Sequence, residues 1–372
     1  MRTRAAVLNG PLQQWQIVDL DLDPPRSGEV LVRVAASGIC RTDDHVLQGD
    51  LTTTFPLVGG HEGAGIVEAV GNGVTRLRPG DHVVFTFLPA CGHCRFCARG
   101  KQNLCDFGAL IMTGAMLDGT YRFHRDGIDY GGFSMLGTFA ERMVVSEFSC
   151  IKIDDDIPLD VAALVGCGVP TGWGSAVHAG GTRPGDTVVV YGVGGVGINA
   201  VQGARHAGAR CIVAVDPARP KLTVAEDVGA THVAADPLEA ARVLADLTNG
   251  QGADVAIVTV AVADATVISH AFEAVCKGGT VVVTAASPQD AVNIKLPGAI
   301  LTLFEKQLRG CLYGSCNPFD DVPRLLDLYR SGALRLNELI TARYRLDEVN
   351  EGFVHLKDEK NIRGLIVHDC MR

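Results

Sequence analysis

The stretch TVVVYGVGGVGINAVQGARHAGARCIVAVD, residues 187–216, decides the fold class. It runs from an apolar β-like segment through a Gly-x-Gly-x-x-Gly pattern on Gly192, Gly194 and Gly197, then through a helical stretch into a second apolar run ending on Asp216. The glycines permit a tight turn, a close approach of backbone to a pyrophosphate, and close packing of helix on strand, while the helix N-terminus supplies N–H groups and a positive dipole end. Taken alone such a pattern is also that of an ordinary glycine-rich turn. Its place between a strand and a helix favours a dinucleotide site in which Gly195 and Val196 complete the loop. Asp216, about twenty residues on, can accept hydrogen bonds from the adenosine ribose hydroxyls and would repel a 2′-phosphate, so NAD is expected over NADP. Lys221 can support the ribose, although its spacing fits a solvated surface lysine equally well.

Working outward, strand-like runs alternate with helical stretches from near Gly172 onward: after 187–192 and 211–216 come DVAIVTV (254–260) and TVVVTAA (280–286). They are apolar on both faces, as buried parallel strands are, and the helices between them read as crossovers. A doubly wound α/β domain over 169–311 is expected. The first 150 residues differ. EVLVRVAASG (29–38), GAGIVEAVG (63–71) and DHVVFTF (81–87) are short strands set between glycine and proline turns, with Arg-Pro-Gly-Asp at 78–81 and again at 183–186. They imply an irregular β-rich lobe, 1–168, to which a tail, 312–372, returns with the amphipathic VPRLLDLYRSGAL and the strand-like NIRGLIVHD. At 372 residues two domains are expected on size as well.

Composition excludes several classes. With 47% hydrophobic and 20% charged residues the chain is globular, and a net charge of −9 with no Lys/Arg-rich block argues against nucleic acid or anionic membranes as partners. The start, MRTRAAVLNGPLQQW, has an apolar run of only four residues, and no segment reaches the roughly 18–20 apolar residues of a membrane span. A soluble cytoplasmic protein is expected. Twelve cysteines in such a chain suggest metal before disulfides.

Four of those cysteines crowd together. Cys91, Cys94, Cys97 and Cys105 form C-x2-C-x2-C-x7-C in CGHCRFCARGKQNLC. Four thiolates so spaced can close a tetrahedral Zn²⁺ site with no open position, which makes it structural. Iron–sulfur is the competitor by ligand type. His93 lies in the loop without being needed as a ligand.

Cys40 in GICRTDDH, His61 in GGHEGAG and Cys167 in GCGVPTGWG are linked by no local spacing rule. Singly, a buried structural cysteine or a core histidine is the commoner explanation. The order of the motifs changes this. GICRTDDH, GGHEGAG, the four-cysteine loop, GCGVPTGWGSAV, GVGGVG, the Val-Asp at 215–216 and NIRG resemble, over essentially the whole chain, the zinc-containing alcohol dehydrogenases of the medium-chain dehydrogenase/reductase superfamily. The resemblance implies a GroES-like β-rich catalytic domain and a Rossmann coenzyme domain, and an oxidoreductase that carries two zincs per chain, uses NAD and interconverts alcohols and aldehydes by hydride transfer.

By the same resemblance Cys40, His61 and Cys167 are the protein ligands of a catalytic Zn²⁺ whose fourth position takes water or substrate oxygen. Glu62 lies behind the metal and Asp43 orients His61. Thr42 takes the alcohol proton and passes it through the nicotinamide ribose to His45 and solvent, where turn-capping and surface roles are the plainer readings of those two residues. Arg41 and Arg363 are expected near the pyrophosphate, Thr171 against the nicotinamide, and Phe87 and Leu136 in a pocket for a primary alcohol with an apolar tail.

Asp106 to Thr138 is a long excursion shared with glutathione-dependent formaldehyde dehydrogenases, but DFGALIMTGAM has no arginine for a glutathione carboxylate and GDLTTTFP lacks the acidic residues that branch uses to grip the glutathione end. Dehydrogenases of polyols commonly replace one catalytic-site cysteine by a carboxylate, whereas Cys167 is kept, and a non-catalytic relative would have lost a ligand or the relay. GGHEGAG, LVGCGVPTGWGSAV and CLYGSCNPFDDVPRLLDLYRSGAL are most similar to actinobacterial NDMA-dependent nicotinoproteins, in which NAD stays bound and is reoxidised in place. An external electron acceptor and a second copy of the chain, as a homodimer, are then the expected partners.

Overall fold

Glu29–Ile39 is buried along nearly all of its length, so it has strands on both sides. Gly63–Val70 pairs antiparallel with it on one side; Arg142–Ser146 and Arg363–Val367 pair with it on the other. The sheet continues through His82–Phe85 to Cys150–Ile153 and through Arg363–Val367 to Ile340–Tyr344. Arg2–Leu8, Gln16–Leu22, Phe123–Arg125, Ile128–Gly132 and Leu57–Val58 close a barrel. The strand-like NIRG segment therefore does return to the first lobe, its Gly364 opposite Ile39. This computed structural model describes residues 1–288, 291–292 and 294–368, so the last four residues of the expected tail, with the Asp369 that ends NIRGLIVHD, lie outside the described residues.

The chain divides into two compact units, Met1–Cys167 with Asn317–Gly332 and Leu336 onward, and Gly168–Cys316 with Ala333–Arg335. The tail leaves the second unit at Asn317, five residues beyond the expected 312. The turn Tyr313–Ser315 packs so tightly on helix Gly168–Gly174 that a β-carbon on Gly314 would overlap the Pro170 carbonyl.

In the second unit all six strands are parallel, in the order His232–Ala234, Cys211–Val215, Thr187–Tyr191, Ala253–Val258, Val275–Val283, Gln307–Gly310. Third, second, first, fourth, fifth, sixth is the doubly wound arrangement, with its topological switch point beside the first strand. Thr187–Tyr191 and Cys211–Val215 are wholly buried, which is why both read as unbroken apolar runs. Helices Gly197–His206, Arg219–Val228, Pro237–Thr248 and Ala265–Ala274 make the crossovers. The Asp236 and Asp264 carboxylates accept the first free amides of the last two.

Candidate catalytic and zinc-binding site

Three distant segments meet at one end of the first unit's large sheet. Ser37 lies opposite Gly63, so the chain leaving one strand at Ile39 and the chain entering the other after His61 and Glu62 run side by side. Helix Leu159–Leu164 then delivers Cys167, because Gly166 sits so close to the Phe85 carbonyl and the Gly63 amide that a side chain there would collide. The Cys40, His61 and Cys167 ligand atoms all lie within 4.8 Å of one another, and all three residues are buried. Cys40 is also the N-cap of helix Arg41–Gln48 and makes no side-chain cap bond, which leaves its sulfur at the positive end of the helix.

His61 Nε2 is a buried nitrogen with no hydrogen-bond partner among the described residues. Such an orphan is expensive unless something else occupies its lone pair. Asp43 Oδ2 lies 3.1 Å from His61 Nδ1, at ion-pair distance although outside hydrogen-bond geometry, and Asp43 Oδ1 accepts from the Gly60 amide at 3.0 Å. The Ser37 and Thr138 hydroxyls and the Gly38 amide all donate to the Glu62 carbonyl, fixing the His61–Glu62 backbone.

The electrostatics are those of ligands that share protons where a cation would sit. A hydrogen bond from Cys167 holds the Cys40 thiol well below its ordinary range against the opposing effect of burial, and the same bond together with burial pushes Cys167 up. Burial pulls the His61 imidazole down, but the nearby charges of Asp43 and Cys40 outweigh it and raise His61 overall. Asp43 is raised by its own burial. A divalent cation would displace these protons. Two thiolates and a neutral imidazole with one position left open form the donor set of a catalytic zinc.

Behind the ligands, Arg363 donates to Glu62 in a buried ion pair. Arg363, expected near a pyrophosphate, is thus committed to Glu62 on one edge, while its Nε has no partner among the described residues. Arg41 is half-exposed and bonds Asp44 and the Leu356 carbonyl. Thr42 is the acceptor of a long contact from the Cys40 thiol, 3.7 Å. His45 is only 4% exposed, so it is no surface histidine. The Phe87 ring stands edge-on to His61 at 5.6 Å, and Phe133, which no sequence motif singles out, does the same at 5.4 Å. Leu136 is 1% exposed and packs in the core cluster with Val58, Phe123 and Tyr130.

The four-cysteine loop forms its own cluster. All four sulfurs lie within 4.8 Å of one another, with Cys91 to Cys97 at 4.0 Å and Cys94 to Cys105 at 3.9 Å. A tetrahedron of Zn–S bonds of about 2.3 Å has edges of about 3.8 Å. The Cys91 amide donates to Cys105 Sγ, that of Cys94 to Cys91 Sγ, and that of Cys97 to Cys94 Sγ. The Cys97 amide is the main reason the Cys94 thiol falls to about 6, while burial pushes Cys97 up to about 12.

In the second unit the three glycines have separate tasks. Gly192 has φ +85° and backs onto Val260; a side chain on Gly197 would strike the Gly192 carbonyl; Gly194 faces open space, the opening a pyrophosphate needs. Gly195 accepts from the Asn199 side chain, and Val196 caps helix Gly197–His206. Asp216 takes the Val193 amide on one oxygen (3.0 Å) and the Ala218 amide on the other (2.9 Å), with Lys221 Nζ at 3.9 Å. Lys221 therefore faces Asp216 and is mostly covered. Thr171 is buried, its carbonyl accepting from Ser175.

Residues 26–155 match the family model described as alcohol dehydrogenase GroES-like domain, and residues 195–331 match that described as zinc-binding dehydrogenase. The chain is 54% identical over 370 residues, 100% of each chain, to the NDMA-dependent alcohol dehydrogenase of Amycolatopsis methanolica. It is 42% identical to alcohol dehydrogenase B of Mycobacterium tuberculosis, over 98% of both chains. The crystal structure of benzyl alcohol dehydrogenase from Acinetobacter calcoaceticus superposes with a TM-score of 0.91 at 29% identity, covering 99% of each chain. With GroES-like and Rossmann domains, a buried Cys-His-Cys donor set and relatives matched end to end, the chain belongs to the zinc-dependent alcohol dehydrogenase family.

Proposed function

We propose that the protein oxidises primary alcohols to aldehydes, or the reverse, with NAD as hydride acceptor, one zinc held by Cys40, His61 and Cys167, and a second held by Cys91, Cys94, Cys97 and Cys105. The observation that carries this reading is the buried convergence of the first three, with His61 Nε2 left without a partner. When bound, the catalytic ion supplies the Lewis acidity that makes an alcohol hydroxyl acidic near neutral pH, and the nicotinamide supplies the hydride acceptor.

The chain's own residues do the rest. Asp43 holds the His61 ring with Nε2 turned to the donor set. The Thr42 hydroxyl receives the alcohol proton and His45 takes it onward. Phe87 and Phe133, edge-on to His61, exclude water and favour an apolar substituent on the alcohol. Asp216, with two backbone amides orienting its carboxylate, accepts from ribose hydroxyls and disfavours a 2′-phosphate. Lys221 supports the same ribose, Gly192 to Gly197 cradle the pyrophosphate, and Arg41, Arg363 and Thr171 keep the cofactor-binding roles that the family resemblance implies.

The name of the Amycolatopsis methanolica relative supports a bound NAD that is reoxidised in place by an external acceptor. Among the described residues no helix is long and apolar enough to cross a membrane, and six cysteines gathered into two metal-type donor sets support a reducing, cytoplasmic setting. The edge strand Gln307–Gly310, paired on one side only among the described residues, supports a homodimer. Metal and nucleotide content after exhaustive dialysis tests the core of this reading. About two zincs with retained NAD(H) support the bound-cofactor form; about two zincs without nucleotide support an exchanging dehydrogenase; one or none overturns it.

A further inference from the structure

We propose that Asp50 is the positioning residue of the proton relay: it fixes the tautomer of the buried His45 and gives the proton its way out to solvent. The proposal deepens the relay reading above and rests on it. Nothing in the sequence motifs singles out Asp50, which lies in a stretch, GDLTTTFP, notable there only for lacking the acidic residues of another substrate class.

The geometry follows from how helix Arg41–Gln48 ends. Gly49 adopts φ 81° and its amide returns to the Val46 carbonyl, so the chain reverses within one turn. The Asp50 amide then bonds the His45 carbonyl at 2.9 Å, and the Leu51 amide the same carbonyl at 3.3 Å. Backbone groups have thus already closed the helix end, and the Asp50 side chain is not needed as a cap. It turns instead to the ring: His45 Nδ1 lies 2.8 Å from Asp50 Oδ2. The neighbouring carboxylate, Asp44, is occupied elsewhere, by Arg41, Gln48 and Lys357.

An ionised carboxylate can only accept, so this contact requires the proton on Nδ1 and leaves Nε2 as the basic nitrogen. That is the tautomer a relay acceptor needs. A proton enters the ring at Nε2 and the proton on Nδ1 leaves toward Asp50 and water, which leaves a neutral ring protonated at Nε2; exchange of that proton through water then restores the Nδ1–H form that the carboxylate favours. His45 is 4% exposed and cannot shed a proton to bulk water easily, whereas the Asp50 side chain keeps about a third of its surface. The pair bridges interior and solvent.

The test uses the zinc- and nucleotide-loaded enzyme and three variants, Asp50→Asn, Asp50→Glu and His45→Gln, each checked for unchanged zinc content and circular dichroism. Long-range ¹⁵N–¹H correlation of histidine-labelled protein, with the His45 signals assigned by their loss in His45→Gln, reads the tautomer directly. It should show a fixed Nδ1–H form in the wild type and in Asp50→Glu, and loss of that preference in Asp50→Asn. The transient rate of nucleotide reduction, taken with the best of a series of primary alcohols from ethanol to benzyl alcohol, should fall about tenfold in Asp50→Asn. Its solvent deuterium isotope effect should rise, KM should stay near the wild-type value, and Asp50→Glu should recover most of the rate. A wild-type tautomer and rate in Asp50→Asn, with His45→Gln slow, overturn the role of Asp50 alone. A wild-type rate in His45→Gln removes the relay itself and this proposal with it.

Discussion

Arg363 and Glu62, 301 residues apart in sequence, meet as an ion pair inside the first unit, Glu62 fully covered and Arg363 5% exposed. The pair sits directly behind the Cys-His-Cys donor set, and both thiols contribute to keeping the guanidinium charged. Removing one partner leaves a buried charge uncompensated. Arg363→Met should therefore lower the unfolding free energy by about 3–5 kcal/mol, read from urea denaturation of the zinc-loaded protein. Gly38→Ala should do comparable harm without touching a charge, since its β-carbon would overlap Glu62 Oε1 and crowd Arg363 Nη2. A midpoint unchanged in both variants would refute the structural weight given to this pair.

Asp118 gives the acid side of stability a specific origin. Burial would raise its carboxyl, but hydrogen bonds from the Thr120 hydroxyl and amide and from the Arg122 guanidinium outweigh that and hold it below the ordinary carboxylate range. A depressed folded-state value contributes stability above the unfolded value of about 3.9 and loses it as pH falls through the folded one. Asp118→Asn should accordingly weaken the protein at pH 7 and flatten the decline of stability below about pH 4. Urea midpoints measured from pH 7 down to 3 decide it, and parallel curves for variant and wild type would rule it out.

The four-sulfur cluster lends itself to a metal count. Cys97→Ser removes one thiolate and leaves three that can no longer close the tetrahedron. Zinc content should fall from about two to about one per chain while the Cys40, His61 and Cys167 site stays loaded. The thermal midpoint should drop by several degrees, each kcal/mol lost being worth roughly 2–4 °C in a domain of this size. Two retained zincs in Cys97→Ser would mean the loop is not a metal site.

What the sequence discloses depends on whether proximity is local. Cys91 to Cys105 span one loop, so their spacing alone announces a tetrahedral site, and the sulfurs do converge. The βαβ glycines are legible for the same reason. Cys40, His61 and Cys167 are different, because their meeting depends on an antiparallel register that sets Ser37 against Gly63 and on a helix that returns Cys167 to the strand ends. Neither is encoded in a short window, and only the order of motifs along the chain supplied them. Arg363 on Glu62 and Phe133 on His61 are likewise long-range contacts with no local signal. Asp50 is the instructive exception. Its contact with His45 is local and follows from a glycine four residues after the histidine, but it depends on the left-handed cap at Gly49, which a Gly-Asp pair in sequence does not by itself announce.

Asp216 makes the cofactor preference testable residue by residue. Its two oxygens are held by the Val193 and Ala218 amides, so the carboxylate is oriented before any ribose arrives, and Lys221 beside it offsets only part of its charge. Asp216→Asn keeps an acceptor for one amide but loses the charge that repels a 2′-phosphate. It should reduce the affinity for NAD by about tenfold, roughly 1.4 kcal/mol, and improve that for NADP, so the ratio of the two shifts toward NADP. Asp216→Ala should add a stability cost of about 1–3 kcal/mol for each buried amide left without a partner. Calorimetric titration of nucleotide-stripped protein with NAD and NADP separates the two effects. An NAD to NADP ratio unchanged in Asp216→Asn would show that discrimination lies elsewhere in the second unit, whereas a shifted ratio with unchanged thermal stability would confine the effect to charge.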